Sequence, residues 1–280
     1  MESTTKLKGV IVPMITPWHE GEFDKYSFVR IGDYIFNGGA DGILDLGATA
    51  ELPRLTFETK KEKIDVVANA FCGLGKKLLV CTNGNTLEET CTLSLHAAGK
   101  RGIDALVIAP MYQPYGYLES VGYKSAVEYL AEVIKVIESE RVAVPILLYN
   151  NPQLTSKDIP PQDVKALARE PRIIGIKDSS GNLEYFSWLM TMQSPDFSIL
   201  QGNEKDIKQS LEMEADGFVC GSGNIYPRFM VNLFNEGDAE SFQILGSIVD
   251  RYKAAGDAVK VIKEIAHKEG LIRSPELVSY

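Results

Sequence analysis

Between residues 9 and 236, short runs of Val, Ile and Leu alternate with longer segments in which apolar residues recur at helical spacing. Eight such runs stand out: "GVIVPMIT" (9–16), "GILDLG" (42–47), "KLLVCT" (77–82), "ALVIAP" (105–110), "PILLYN" (145–150), "IIGIKD" (173–178), "FSILQG" (197–202) and "GFVCGS" (217–222). Each is nearly continuous in apolar character, the pattern of parallel strands buried on both faces, and each precedes a helical stretch of ten or more residues. Such alternation fits a closed barrel or an open doubly wound sheet. Eight strands of similar length, none followed by GxGxxG, favour an α/β protein of the (β/α)8 TIM-barrel class. T-x-x-E spacings at Thr59/Glu62 and Thr86/Glu89 predict capping boxes at two helix starts. No low-complexity linker divides the chain, so we read a catalytic barrel over 1–236. Residues 237–280 then form a helical extension packed on it.

Strand parity turns this pattern into candidate chemistry. In "IIGIKD", Ile173, Gly175 and Lys177 share one face and Ile174, Ile176 and Asp178 the other. The isoleucine pair suits the side covered by helices, so Lys177 points inward at the carboxyl end of strand six, with Gly175 below it leaving room. The same parity in "PILLYN" turns Leu147 and Tyr149 inward. Adjacent strands lie about 4.8 Å apart, which makes Tyr149 and Lys177 neighbours on the face where barrel active sites are built. Taken alone, Lys177 reads as a strand-end lysine paired with Asp178 or solvent, and Tyr149 as a core side chain. Their joint placement favours a site. A lysine walled in by apolar groups holds its charge less readily, and a neutral amine attacks a carbonyl to form a Schiff base. A neighbouring phenol can shuttle the protons. The small-residue turn "LGATAE" (46–51), with Thr49, offers amides to a carboxylate, and Tyr112 in "APMYQPY" (109–115) is within reach from the loop after strand four.

Composition narrows the partners. With 38 acidic and 29 basic residues the chain carries −9, which repels nucleic acid and anionic lipid. No apolar run approaches the roughly 18 residues of a membrane span. Pro13 and Pro17 interrupt the one apolar stretch near the start, and Cys72, Cys81, Cys91 and Cys220 form no CxxC, so the expectation is a cytoplasmic protein with reduced thiols. His19, His96 and His267 form neither HxH nor HExxH, which argues against a histidine-rich metal site.

Together these stretches resemble the dihydrodipicolinate synthase and N-acetylneuraminate lyase family of pyruvate-dependent class I aldolases. The likeness runs through "GVIVPMITP", "GATAE", "NGNTLEE", "APMY", "YNNP", "GIKDSSGN" and "GFVCGSGN", in order over nearly the whole chain. It implies a (β/α)8 barrel with C-terminal helices, a homotetramer built as a dimer of dimers, a small-molecule 2-oxo acid substrate, and no metal or organic cofactor. It also implies that Lys177 forms an imine with the oxo acid and that Tyr149 is the general acid/base. By the same likeness Ala48 and Thr49 lie at the carboxylate site, the backbone of Val219 lines the pocket, and Tyr112 reaches a partner subunit's site. Two departures bear on substrate. Ala48 stands where the synthases carry the first of two hydroxyl residues, with Ala50 replacing the customary glycine. Leu154 stands where they carry an arginine for aspartate semialdehyde, and losing such a charge-assisted partner removes about 1.5–3 kcal/mol. The resulting expectation is reversible cleavage of a 2-oxo-3-deoxy sugar acid such as 2-keto-3-deoxygluconate. Alternatives are dihydrodipicolinate synthase, a dehydratase using the same imine, a phosphate-binding barrel using "GSGN" (221–224), and a non-catalytic binder.

Overall fold

The computed structural model describes residues 6–110, 125–140, 143–155 and 157–279. Eight parallel strands close into a barrel: β1 (Gly9–Pro13), β2 (Gly42–Asp45), β3 (Lys77–Cys81), β4 (Ala105–Ile108), β5 (Ile146–Asn150), β6 (Ile173–Asp178), β7 (Ser198–Gln201) and β8 (Gly217–Val219). Each pairs with its neighbours in sequence, and β1 closes the ring against β8 through Gly9↔Gly217 and Ile11↔Val219. The strand residues are buried almost throughout, as their continuous apolar runs require.

Around the barrel run α1 (Lys25–Asn37), α2 (Phe57–Phe71), α3 (Leu87–Ala98), α4 (Ala126–Ser139), α5 (Pro161–Leu167), α6 (Leu183–Met190), α7 (Ile207–Glu212) and α8 (Pro227–Glu236). Beyond them, α9 (Ala239–Ala255) starts on the Asp238 cap and stops at Gly256 in the left-handed region (φ 73°), and α10 (Ala258–Lys268) starts on Asp257. Among the described residues no helix is long and apolar enough to cross a membrane. A two-stranded hairpin, Trp18–His19 with Glu22–Phe23, interrupts the path from β1 to α1 and has no counterpart in the sequence pattern.

At Thr86 half of the expected box forms: its hydroxyl accepts from the Glu89 amide, while the Glu89 carboxylate takes the amide of Asn85 instead of that of Thr86. The one expected at Thr59 does not form. Helix α2 begins one turn earlier, with Thr56 as its cap accepting from the Thr59 amide, so Thr59 lies inside the helix.

Strand parity survives where chemistry needs it and fails one residue earlier. The β5–β6 register shifts between Ile146 and Leu147, making Ile174 the extra residue. Tyr149 stands opposite Lys177, and Leu147 opposite Gly175, but Ile173 pairs with Ile146 and leaves the inward row. Gly175 also has a different task from the one expected. Its φ is 154°, and a Cβ there would come 2.2 Å from the Ser198 carbonyl oxygen, so its bareness admits β7. Gly202 makes the room for Lys177, because a Cβ there would lie 2.8 Å from the lysine Cε.

Candidate active site

The carboxyl ends of β5 and β6 are locked together before any side chain enters the pocket. Asn150 donates to Asp178 at 2.6 Å and to Asp158 at 2.9 Å, and accepts from the Ile159 amide. Ser180 donates its amide and hydroxyl to the same Asp178 carboxylate. Burial still outweighs these bonds and pushes the Asp178 carboxyl up to about 6. These polar groups use the outward face of the two strand ends, leaving Tyr149 and Lys177 on the inward face.

Lys177 is 4% exposed, and its Nζ sits 3.9 Å from the centroid of the Tyr149 ring. No carboxylate lies within ion-pair distance of it among the described residues, so the pairing with Asp178 that Lys177 alone would suggest does not occur. Both side chains open into a cavity of ≈330 Å³, a volume suited to a small metabolite. Ala48, Thr49 and Val219 line the same cavity. Tyr112 lies outside the described residues. Leu154 packs partly buried against the core, and Gln153, its neighbour, faces the cavity instead.

The turn bearing Thr49 is built under strain. Leu46 and Glu51 flank it, both in the left-handed region at φ 57°. Within the turn the Ala50 amide bonds Gly47 O and the Glu51 amide bonds Ala48 O; the amides of Ala48 and Thr49, at its head, are not used by these bonds. Thr16 Oγ1 donates to Ala50 O at 2.7 Å and ties the turn to the end of β1. Glu51 is held from the other end of the chain. Lys263 of α10 forms a buried ion pair with it, and the Val278 amide donates to it at 2.9 Å. Helix α10 and the segment after it therefore brace the turn, and Ala258, Val259 and Ile262 of α10 line the cavity with apolar surface.

Sequence reasoning missed five polar lining residues, Asn151, Gln153, Ser179, Asn203 and Glu204, of which two bear most on the chemistry. Glu204 follows β7, accepts from the Ser222 amide at 2.9 Å and from its hydroxyl, and burial raises its carboxyl above the ordinary range. Asn151 follows β5 and donates to the Tyr149 hydroxyl at 2.7 Å. Both sit just past a strand's carboxyl end, the rule that found Lys177, and applying it to "QGNEKD" and "YNNP" would have found them too. The "GSGN" segment is occupied internally. Asn224 bonds Pro13 O, Gly221 O and the Ile15 amide, and Ser222 serves Glu204, which removes the footing for a phosphate site there. Cys81 ends β3 on the inward row, but burial pushes its thiol up to about 11, so it is a poor rival nucleophile.

An amine beside a phenol, in a cavity that the Thr49 turn also lines, can form an imine with an oxo acid and move protons around it. Comparison with known proteins agrees. Residues 6–278 match the Dihydrodipicolinate synthetase family. The chain is 30% identical over 239 residues to the 4-hydroxy-tetrahydrodipicolinate synthase of Thermodesulfovibrio yellowstonii, covering 83% of this chain and 77% of that protein. It is also 30% identical over 278 residues to YagE of Escherichia coli, a putative 2-dehydro-3-deoxy-D-gluconate aldolase, covering 94% of this chain and 87% of YagE. The structure of YagE in complex with pyruvate superposes with a TM-score of 0.85 over 96% of this chain and 91% of YagE, at 28% identity. The 2-keto-3-deoxygluconate aldolase of Picrophilus torridus superposes at 0.81 over 95% of this chain and 94% of that one, at 25% identity. The chain belongs to the dihydrodipicolinate synthetase family and is an enzyme of its pyruvate-dependent class I aldolase and lyase type.

Proposed function

We propose that this enzyme reversibly cleaves a 2-oxo-3-deoxy sugar acid of the 2-keto-3-deoxygluconate type into pyruvate and an aldehyde, through a Schiff base on Lys177. The observation that carries the reading is the unpaired Lys177 beside Tyr149 in a cavity with no second cation among its described lining residues. A substrate with a second carboxylate finds no cationic partner among the described lining residues and meets Glu204 there, whereas a polyhydroxylated chain finds Glu204, Asn151, Asn203, Gln153 and Ser179 to bond with.

In this mechanism Lys177 Nζ adds to the C2 carbonyl, water leaves, and the protonated imine draws electrons from the C3–C4 bond. Tyr149 takes the C4 hydroxyl proton as that bond breaks and the aldehyde departs. The enamine left behind gains a proton at C3, and water releases pyruvate and the free lysine. Thr49 and the amides at the head of its turn hold the C1 carboxylate, with Ala48 and the Val219 backbone completing that wall. Tyr112 extends the site from a partner subunit in a homotetramer, within a cytoplasmic carbohydrate pathway. The barrel domain runs through residue 236, and 237–280 form the extension that braces it and lines its cavity.

Borohydride with pyruvate is expected to add a reduced pyruvyl group to Lys177, and a panel of 2-oxo acids to release pyruvate fastest from a 3-deoxy sugar acid. An active preparation left unmodified at Lys177 would sink the Schiff base. The second reading is condensation of pyruvate with aspartate semialdehyde, favoured by the equal identity to the Thermodesulfovibrio synthase. Turnover of that pair matching the best sugar acid would put it first.

A further inference from the structure

The Tyr149 hydroxyl has one side-chain partner among the described residues, the Asn151 amide nitrogen at 2.7 Å. Ala48, across the cavity, has no hydroxyl to share the role. Asn151 is 6% exposed, lines the cavity, and its other amide atom, Oδ1, is buried with no partner among the described residues. A buried carbonyl oxygen without a donor is costly, so a site that tolerates one is built to receive a donor from elsewhere. The backbone is not free to swing the amide away. Asn151 O accepts from the amides of Leu154 and Thr155 and from Thr155 Oγ1, fixing the residue at the head of a one-turn helix, Pro152–Thr155.

We propose that Asn151 is both a positioning and a specificity-determining residue: Nδ2 fixes the Tyr149 hydroxyl, and Oδ1 accepts from a hydroxyl on the aldehyde half of the substrate. The two ends of one carboxamide are adjacent, so the group on Oδ1 lies beside the group that Tyr149 holds. With Tyr149 at the C4 hydroxyl, Oδ1 meets the hydroxyl on the next carbon. In the condensing direction the favoured partners are therefore aldehydes bearing a 2-hydroxyl. This rests on the aldolase reading above.

The test uses the intact enzyme with pyruvate and either glyceraldehyde or 3-hydroxypropanal, which lacks only the 2-hydroxyl. Wild type should prefer glyceraldehyde in kcat/KM, and Asn151→Val should lower that preference about tenfold, the scale of one hydrogen bond to a buried acceptor. Asn151→Asp keeps an acceptor but loses the donor to Tyr149, so it should retain the preference while kcat falls for both aldehydes. In a Tyr149→Phe background, Asn151→Val should cost nothing further in kcat. A preference within twofold of wild type in Asn151→Val, or an undiminished kcat effect in the Tyr149→Phe background, overturns the proposal. If Asn151→Val does not fold, Asn151→Ala carries the same comparison. Borohydride trapping of pyruvate keeps the two ideas apart: an untrapped wild type fails the Schiff-base reading, while normal trapping with an unmoved preference fails Asn151 alone.

Discussion

Lys177 and Lys63 are both shut inside the protein, at 4% and 0% exposure, yet their surroundings assign them opposite work. Lys63, on α2, lies 3.1 Å from the equally buried Asp45 at the end of β2, and packs over the rings of Phe28 and Phe23 at 3.9 and 4.8 Å. It has a counter-charge and does not line the active-site cavity. Lys177 has a cavity, a phenol against its amine and, among the described residues, no counter-charge. Lys263 belongs with Lys63, since it is spent on Glu51. Burial alone therefore does not mark a nucleophile. What marks it is burial without a carboxylate, at a wall that a ligand can reach.

The contrast breaks most sharply at the two lysines themselves. Lys177→Ala should cost about 10⁴-fold or more in turnover, the scale of losing a covalent nucleophile, with stability unchanged or improved. Steady-state rates and a thermal melt on one preparation check both halves, and a variant that unfolds would make Lys177 structural after all. Lys63→Ala should do the reverse. It strands Asp45 in the interior, an uncompensated charge costing about 3–5 kcal/mol, while kcat per folded molecule holds. Urea unfolding reads this, and pairing it with Asp45→Ala should recover part of the loss.

Period-two reasoning located Lys177 and Tyr149 because both lie in the last regular residues of their strands, where inward and outward faces alternate without interruption. The bulge at Ile174 escaped it because a register shift is decided by the neighbouring strand. The room beside Lys177, expected from Gly175, comes from Gly202 for the same reason: what a missing Cβ makes room for is a fact about the adjacent strand. Thr56 and Thr59 both fit a cap, and only the hydroxyl that reaches an amide at a true helix end decides between them. The bracing of Glu51 joins residues 212 positions apart, beyond any local pattern.

A third break concerns the carboxylate next to Lys177 in sequence. Asp178 is the partner that the bland reading offered, but it faces outward into the Asn150 and Ser180 network. Its carboxyl, raised to about 6 by burial, keeps a proton over a range where the unfolded chain has lost it. The resulting stabilisation is fully present below about pH 4 and is lost as pH rises through about 6, on the order of 3 kcal/mol in all. Asp178→Asn removes that dependence, since an amide carbonyl can still accept from Asn150. The variant should match wild type near pH 4 and exceed it by about 2–3 kcal/mol near pH 8. Denaturation curves at the two pH values decide, and equal stability at both would show that Asp178 is ionised in the folded protein as readily as in the unfolded chain.

The smallest effect sharpens the comparison from the side of Lys263. Replacing it with Met leaves Glu51 two partners, the Val278 amide at 2.9 Å and Arg54 at 3.4 Å, so the loss should stay near 1–2 kcal/mol, below that for Lys63. Glu51, however, ends the strained turn that carries Thr49 and the amides offered to the substrate carboxylate, and α10, which bears Lys263, lines the cavity. Lys263→Met should therefore raise KM for the oxo acid about three- to tenfold and leave kcat within twofold, because the turn grips a group that does not change during bond cleavage. A Lys263→Met enzyme with lowered stability but unaltered KM would make this pair another Lys63, a brace for the fold that the pocket does not feel. A raised KM would separate them, placing Lys263 between the sealed lysine paired with Asp45 and the one that opens into the cavity beside Tyr149.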